Sequence, residues 1–196
     1  MILSILQKIF AAFVLLAFSW LYLLLAILIR LTSIGPALYC SIRLGHHRKP
    51  ILIWKFRTMH ADIAMEVLAA ILESREWQQN QKIIRDPRLT RIGKILRRFS
   101  MDELPQFWNI LNGTMSLVGP RPITREEEKK YGKYSNLIHS VKPGLTGLWQ
   151  VSGRNLTTYR RRIAINIYYV KHKNWKLDLW IIYKTFRAVF GGKGAF

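Results

Sequence analysis

The feature that most constrains the fold of this chain is an uncharged segment near its N-terminus. Residues 9–29 carry no charged side chain and are bounded by Lys8 and Arg30. As a helix this segment would be about 31 Å long, which matches the hydrocarbon thickness of a bilayer. The run is too long for the apolar part of a signal peptide, and no small-residue cleavage site follows it. We therefore expect a membrane-inserted helix.

The residues leave the path of this helix through the membrane open. Lys8 and Arg30 flank it symmetrically, which fits both a full span and a re-entrant helix with both ends on one side. Ser19, Trp20 and Tyr22 interrupt the apolar run near its middle. Tryptophan and tyrosine prefer the membrane interface, so their central position is unusual for a straight span. Spanning and re-entrant topologies are therefore both expectations here.

The rest of the chain is strongly basic. Lys and Arg number 31 against 11 Asp and Glu, a formal charge of +20, and only two of these charges precede residue 34. By the positive-inside rule, we expect residues 34–196 to form a cytoplasmic domain and residues 1–33 to form its membrane anchor. Cys40 is the single cysteine, which excludes an internal disulfide and a Cys-rich zinc site.

Hydrophobic periodicity beyond residue 33 predicts a small mixed domain of helices and strands. The predicted strands are residues 37–43, 51–58 and 148–151, and the predicted helices are residues 62–77, 89–99, a helix starting at residue 100, and 159–190. Alternation along the second strand places Lys55 and Arg57 on one face. This pair fits either a solvated edge or a clamp for phosphate.

Asp102 and Glu103 are adjacent carboxylates in this cationic chain. Ser100 and Glu103 have the spacing of a capping box, which predicts a helix start at Ser100. Acidic residues at helix starts often serve only the helix dipole, whereas Pro105 disturbs the first turn and favours a site. Cations on the preceding helix are Arg91, Lys94, Arg97 and Arg98. Paired carboxylates among cations suit a metal ion and a phosphorylated substrate.

Two further arginines follow backbone signals that favour ligand contact. Arg121 lies between Pro120 and Pro122, whose restricted backbone limits the conformational freedom of the arginine. Its guanidinium fork suits a phosphate group. Arg154 follows Gly153, which permits close approach to a ligand. Each arginine taken alone also fits an ordinary surface loop.

Two other charged segments have structural interpretations. Residues 126–128 are a second acidic run, but Thr124 and Glu127 form a capping-box pattern, which predicts a solvated helix start. The helix predicted over residues 159–190 is rich in aromatic and basic residues. That composition is typical of a helix in the headgroup layer, and it also fits a core helix with a charged outer face.

Five ordered motifs carry a family resemblance. They read KFRTM at 55–59, DPRLTRIG at 86–93, DELPQ at 102–106, MSLVGPRP at 115–122 and KPGLTGLWQV at 142–151. In this order they closely resemble the bacterial sugar transferase family, the small monotopic polyprenyl-phosphate sugar-1-phosphate transferases or phosphoglycosyl transferases. The resemblance covers nearly the whole chain. Larger members carry additional amino-terminal helices, so we expect this chain to be the minimal catalytic unit.

The resemblance implies an α+β fold, with a re-entrant membrane helix, a small α/β catalytic domain and amphipathic interfacial helices. The implied reaction moves a sugar-1-phosphate from a UDP-sugar to undecaprenyl phosphate and releases UMP, as the first membrane step of surface glycan assembly. The implied location is the bacterial inner membrane, with the catalytic domain on its cytoplasmic side.

The resemblance also assigns roles to residues. It makes Asp102 the covalent nucleophile and gives Glu103 a part in holding Mg²⁺. It places the motif at 120–122 at the nucleotide phosphates, together with basic residues near the dyad. We expect Lys55, Arg57, Arg97, Arg98 and Arg154 to bind substrate as well. Two positions depart from the usual family pattern. Trp20 follows Ser19 where a proline is common, and Asn166 stands where the late helix often has Asp.

Two other classes of function fit part of the sequence. A membrane-anchored basic protein that binds anionic lipid or nucleic acid would need the charge but not the carboxylates. A metal-dependent phosphoryl enzyme such as a pyrophosphatase would need the carboxylates but no lipid acceptor. The basic residues are interleaved with membrane-type aromatics, and no recognised nucleic-acid module is present. The residues therefore favour membrane lipid over nucleic acid as a partner, and the resemblance implies a UDP-sugar and undecaprenyl phosphate as substrates.

Overall fold

The computed structural model describes residues 2–61, 64–74, 86–153 and 157–191. Its helices are α1 (Ile2–Ala17), α2 (Ser19–Thr32), α3 (Met65–Glu73), α4 (Arg91–Arg98), α5 (Phe107–Leu111), α6 (Arg125–Lys129), α7 (Ser135–Ile138), α8 (Leu148–Val151), α9 (Tyr159–His172) and α10 (Trp175–Gly191). Its strands are β1 (Leu38–Leu44), β2 (Pro50–Phe56), β3 (Ser116–Val118) and β4 (Gly144–Thr146). Short 3₁₀ helices cover His46–Arg48, Met101–Gln106 and Gly132–Tyr134. The mixed α and β content confirms the expected fold class at this coarse level.

The uncharged N-terminal segment forms two helices rather than one. α1 and α2 meet at Phe18 with a bend of 60°. Within the described ranges no single helix is long and apolar enough to cross a bilayer, although the bent pair together has sufficient length and composition. Residues 9–29 therefore do not form one continuous helix, and the bend forms without a proline after Ser19.

Packing against two separate cores accounts for the bend. Ala11 of α1 packs with Ile51 and Ile53 of β2, in a cluster that also contains Ile110 and Met115. The second helix packs elsewhere. Leu25 and Ile29 of α2 form a cluster with Phe56 and Leu96. Each helix therefore packs its few buried residues against a different part of β2, which a straight helix would not allow.

Two small sheets organise the remainder. β1 and β2 form an antiparallel hairpin whose register runs from Leu38 opposite Phe56 to Leu44 opposite Pro50. The two strands confirm those predicted over residues 37–43 and 51–58, with boundaries that differ by one or two residues. β3 and β4 pair in parallel, with Ser116 opposite Gly144. A third cluster joins β3 to the C-terminal helices through buried Val118, Tyr169 and Ile181.

Several predicted boundaries change. The strand predicted over residues 148–151 is wrong, since this segment is helix α8 and the strand is β4 before it. Periodicity does not separate helix from strand in so short an apolar run. The helix predicted over residues 159–190 is divided into α9 and α10. Of the helix predicted over 62–77, the structure describes α3, while residues 62, 63 and 75–77 lie outside the described residues.

Candidate active site

Asp102 and Glu103, here called the dyad, lie on the 3₁₀ helix Met101–Gln106, here called the dyad segment. Ser100 precedes it with a left-handed backbone (φ 55°), and its side chain makes no cap hydrogen bond. The capping box predicted at Ser100 is therefore wrong. Pro105 lacks an N–H donor and its ring crowds the preceding turn, which disfavours an α-helix at this point.

Cationic side chains from two other elements reach the dyad. Lys55 of β2 places its Nζ 2.5 Å from Glu103 Oε1 and 3.8 Å from Asp102 Oδ2. Arg121 places its Nη1 3.9 Å from Glu103 Oε1. Asp102 is the more enclosed of the two acids, with 8% of its surface exposed. The sequence motifs at 55–59, 102–106 and 115–122 thus meet at one point.

Burial raises the pKa of the Asp102 carboxyl above its ordinary value. The positive charge of Lys55 opposes this shift, and those of Arg97 and Arg121 do so more weakly. The negative charge of Glu103 adds to it. Desolvation disfavours the charged form of a carboxyl, so the ionised Asp102 depends on the surrounding cations. This environment is typical of a functional carboxylate, since perturbed pKa values concentrate at active sites.

Contacts between two motifs hold Arg97 in place. The Arg97 Nε donates to Thr58 Oγ1 at 3.0 Å. Gly93 of the same helix lies against the Thr58 backbone, where an added Cβ would be 2.0 Å from the Thr58 carbonyl oxygen. Thr90 caps α4 by accepting from the Gly93 N–H at 2.8 Å. Only glycine permits this approach, so the motifs at 55–59 and 86–93 together position Arg97.

The other predicted substrate-binding residues are placed differently. Arg57 donates to the carbonyl oxygens that follow α2, those of Ser33, Ile34 and Gly35. The expected clamp of Lys55 with Arg57 is therefore not formed, because β2 ends at Phe56 and Arg57 faces the end of α2. Arg98 is exposed, with its Cζ 5.6 Å from the centre of the Phe99 ring. Arg154 lies outside the described residues.

Close glycine contacts position Arg121. The Gly119 N–H donates to the Thr146 carbonyl at 2.9 Å, and the Gly144 N–H donates to the Pro120 carbonyl at 2.9 Å. An added Cβ on Gly144 would be 2.0 Å from the Gly119 nitrogen. The strand pair β3–β4 therefore brings together the motifs at 115–122 and 142–151. Pro122, also predicted at the site, lines the same cleft as Arg121.

Two arginines near the site were not predicted. Trp149 of α8 is contacted by two guanidinium groups, with the Arg121 Cζ 5.7 Å and the Arg162 Cζ 5.2 Å from its ring centre. Arg43 of β1 donates to Glu127 at 3.0 Å. The pKa values of Arg43 and Arg162 are lowered, by burial first and then by the charge of Arg121. No sequence pattern distinguishes Arg43 or Arg162 from the other cations. Arg162, for example, is one of three consecutive arginines.

A small cleft lies beside the dyad. Its lining includes Ser41, Arg43 and Lys55 from the hairpin, Glu103 and Gln106 from the dyad segment, and Arg121, Pro122 and Gln150 from the two glycine-rich motifs. Cations outnumber carboxylates along this lining. The cleft therefore suits an anionic ligand with a polar, uncharged part.

The donor set beside the cleft limits what metal it would hold. Among the described residues, no three His, Cys, Asp or Glu side chains cluster as a metal site. The two dyad carboxylates fit Mg²⁺, which is commonly held by one or two carboxylates together with substrate phosphates. The Lys55 ammonium already contacts both acids. The residues thus fit a metal carried with a diphosphate better than a metal held by protein alone.

Comparison with known proteins identifies the family. Residues 1–192 match the family described as bacterial sugar transferase. The chain is 41% identical over 192 residues to the exopolysaccharide production protein ExoY of Rhizobium meliloti. The aligned region covers 95% of this chain and 84% of that protein. It is 43% identical over 169 residues to the undecaprenyl-phosphate galactose phosphotransferase of Salmonella typhimurium, covering 83% of this chain.

A third relative is the UDP-glucose:undecaprenyl-phosphate glucose-1-phosphate transferase of Klebsiella pneumoniae, 36% identical over 198 residues and 95% of this chain. The matched part is only 35% of the Salmonella protein and 39% of the Klebsiella protein. The match to the family itself extends over almost all of the present sequence. The chain therefore belongs to the bacterial sugar transferase family.

Proposed function

We propose that this chain transfers a sugar-1-phosphate from a UDP-sugar to undecaprenyl phosphate through a phosphosugar bound covalently to Asp102. The observation that carries the proposal is a buried carboxylate surrounded by Lys55, Arg97 and Arg121 beside a cationic cleft. The names of the Salmonella and Klebsiella relatives support the substrate classes. The product would begin the assembly of a surface glycan.

The proposed reaction has two displacements at one phosphorus. In the first, a carboxylate oxygen of Asp102 bonds to the sugar-side phosphorus, and the bond from that phosphorus to the bridging oxygen breaks. UMP leaves with the electron pair of that bond. In the second, an oxygen of undecaprenyl phosphate bonds to the same phosphorus, and the Asp102 carboxylate is released. An ionised carboxylate needs no general base to act as a nucleophile.

The cations around Asp102 would stabilise the charge of the transferring phosphoryl group. Arg97 is held by Thr58, and Arg121 is held between the glycine contacts and Trp149. Side chains fixed before the reaction stabilise charge without reorganising during it. Loss of one such donor commonly lowers kcat by about 10²- to 10³-fold. Lys55, Arg97 and Arg121 are thus proposed as the electrostatic part of the site.

We also propose Mg²⁺ as the cofactor. Asp102 and Glu103 would hold it together with the donor diphosphate, whose negative charge it would neutralise when bound. Because Lys55 contacts both carboxylates, we expect weak Mg²⁺ binding to the protein alone and tighter binding when the UDP-sugar is present.

The proposed location is the cytoplasmic face of a bacterial inner membrane, with α1 and α2 as a re-entrant pair. Large apolar side chains are exposed along both helices, including Phe13, Leu16, Trp20 and Leu31. The dyad segment is joined to this pair, because the Tyr22 hydroxyl of α2 donates to the Leu104 carbonyl at 2.7 Å. A cleft close to the membrane surface would meet the phosphate of a lipid acceptor there.

Incubation with donor alone tests the proposal. The purified protein, UDP-galactose or UDP-glucose and Mg²⁺ are mixed without lipid, and UMP is measured together with the masses of the digested peptides. We expect about one UMP per active site and a hexose-phosphate adduct on Asp102. Asp102→Asn should give neither, whereas Glu128→Gln should behave as the parent chain. UMP release that requires the acceptor would contradict the covalent route. Continuous release of free sugar phosphate would indicate a hydrolase.

A further inference from the structure

Two buried amides on neighbouring turns have different surroundings. Gln106 ends the dyad segment and Asn109 lies in α5, with 3% and 2% of their surfaces exposed. The Asn109 Nδ2 donates to the Leu52 carbonyl at 2.6 Å and to Thr114 Oγ1 at 3.2 Å, and its Oδ1 accepts from the Trp54 N–H at 3.5 Å. The protein therefore satisfies the hydrogen-bonding groups of Asn109.

Gln106 is not satisfied in this way. Its Nε2 is buried and has no hydrogen-bond partner within the part of the chain that the structure describes. The Gln150 Oε1 of α8 is likewise buried and without a partner among the described residues. A buried polar group left without a partner costs about 1–3 kcal/mol of folding free energy. Native proteins rarely retain such groups unless a ligand or water satisfies them.

Both amides line one cleft. Gln106 and Gln150 share the cleft beside the dyad with Glu103, Lys55 and Arg121. One amide offers a hydrogen-bond donor and the other offers an acceptor. The two groups come from different motifs, at 102–106 and 142–151, and meet only because the fold brings the motifs together. The cleft is thus equipped for a ligand group that both accepts and donates.

The chemistry of the donor substrate decides which part of it fits. A phosphate oxygen accepts from Gln106 Nε2 but has no hydrogen to donate to Gln150 Oε1. A hydroxyl group both donates and accepts. Uracil also does both, but a second phosphate and a ribose separate it from the reacting phosphorus. The sugar is attached directly to the phosphoryl group that Asp102 would attack, and Gln106 lies four residues from Asp102.

We propose that Gln106 and Gln150 bind hydroxyl groups of the sugar and thereby select which UDP-sugar is used, an inference that rests on the proposed function. Gln106 Nε2 donates to a sugar hydroxyl oxygen, and a sugar hydroxyl donates to Gln150 Oε1. A site built to bind a hydroxyl rejects an analogue that lacks it, because the protein group is then left buried and unpaired.

The test combines near-isosteric variants with deoxy donors. Gln106→Met and Gln150→Met are compared with the parent chain on UDP-galactose or UDP-glucose, whichever the parent chain uses, and on its single-deoxy analogues. For the parent chain we expect one or two analogues to lose about 10- to 100-fold in kcat/KM. In each variant, the fold decrease in kcat/KM on the deoxy donor that lacks the hydroxyl bound by the replaced glutamine should fall towards 1. The inhibition constant of UMP should stay unchanged.

Stability gives an independent readout. Gln106→Met removes a buried Nε2 that has no partner among the described residues, so we expect an unchanged or raised Tm. Asn109→Leu is the matched control, because it leaves the Leu52 carbonyl and the Trp54 N–H without their partners. Asn109→Leu should lower the Tm. It should leave the ratio of kcat/KM on the UDP-sugar to kcat/KM on its deoxy analogues as it is in the parent chain. A lower Tm for Gln106→Met would contradict the proposal.

The outcomes separate this inference from the proposed function. If the parent chain transfers sugar phosphate and both variants retain every deoxy penalty, the sugar site is wrong and the function stands. If UMP inhibition weakens in step with donor use, the amides contact the nucleotide and the inference is also wrong. If the parent chain releases no UMP from either UDP-sugar, with or without lipid acceptor, the proposed function itself fails.

Discussion

Residues 126–128 and residues 102–103 are two acidic runs of one basic chain, and the structure holds them in different ways. Thr124 and Glu127 form a capping box at the start of α6. Glu127 also accepts from Arg43 at 3.0 Å, and Glu128 accepts from Arg48 at 2.6 Å. At the dyad, by contrast, the preceding Ser100 makes no cap hydrogen bond.

The electrostatic consequences are opposite. The hydroxyl of Ser135 and the guanidinium of Arg48 hold the pKa of Glu128 below its ordinary value. Burial raises the pKa of Asp102. At neutral pH the ionised Glu128 therefore stabilises the fold, whereas the ionised Asp102 destabilises it. This difference supports the proposed catalytic role of the dyad, since groups that violate local rules concentrate at functional sites.

Replacing one acid of each run by its amide gives the largest expected difference in transfer activity. Asp102→Asn should lower sugar-phosphate transfer by roughly 10⁴-fold or more, because it removes the proposed nucleophile. Glu128→Gln should retain transfer but lower the free energy of unfolding by about 1–3 kcal/mol, because charged hydrogen bonds to Arg48 and Ser135 are lost. Activity assays and thermal unfolding in one detergent provide the measurements.

The same pair of variants has a distinct pH signature. Since the pKa of Asp102 is higher in the folded chain, its destabilising effect develops as the pH rises from the unfolded value of about 3.9 to the folded value. Asp102→Asn should therefore raise the Tm at neutral pH but not below pH ~4. The stabilisation by Glu128 is present above the unfolded pKa and is lost as the pH falls. If both variants changed the Tm in the same direction at neutral pH, the comparison between the two acidic runs would be wrong.

Removing the positive charge beside the dyad should have the next largest effect. Transfer requires the ionised carboxylate, so kcat/KM should fall as the pH drops through the raised pKa of Asp102. Lys55→Met should shift this acid limb to higher pH and lower kcat by about 10²- to 10³-fold. Lys55→Arg is the control that keeps the charge. If the decrease of kcat/KM at low pH occurs at the same pH in Lys55→Met as in the parent chain, protonation of Asp102 is not its cause.

The hairpin region contacts both acidic runs, and the N-terminal helix pair contacts the dyad segment as well. Arg43 and Arg48 of the hairpin region contact the second run, whereas Tyr22 of the N-terminal helix pair contacts the dyad segment. Tyr22→Phe should lower kcat by about fivefold, since one hydrogen bond contributes ~1 kcal/mol. Tyr183→Phe, at an exposed site on α10, is the control. Equal kcat values for both variants would show that the Tyr22 hydroxyl does not position the dyad.

The caps of the two segments should give the smallest effects. Thr124→Ala should lower the free energy of unfolding by ~1 kcal/mol without changing transfer, because the cap hydrogen bond to Glu127 is lost. Ser100→Gly should leave stability unchanged or raise it by up to ~1 kcal/mol, because glycine adopts the left-handed conformation without strain. A loss of stability in Ser100→Gly comparable to that of Thr124→Ala would contradict this assignment. Denaturant titration of the variants resolves these differences.

The capping boxes show how far local sequence patterns lead. Ser100 with Glu103 and Thr124 with Glu127 have the same spacing, yet only the second pair forms the cap. Pro105 disturbs the first helix, and Lys55 from a distant strand contacts Glu103. Alternation along β2 likewise put Lys55 and Arg57 on one face, whereas in the structure Lys55 contacts the dyad and Arg57 does not. The strand ends at Phe56, and carbonyl groups after α2 bind the next side chain.

The sequence by itself determined the features that depend on neighbours along the chain. These are the apolar N-terminal segment, the strands β1 and β2, the capped start of α6 and the five motifs that identify the family. The tertiary structure alone decided the bend at Phe18, the burial of Asp102, the contact of Arg162 with Trp149 and the placing of Arg43, Gln106 and Gln150 around one cleft. Those features depend on packing between elements far apart in the chain, and local periodicity and propensity carry no information about such contacts.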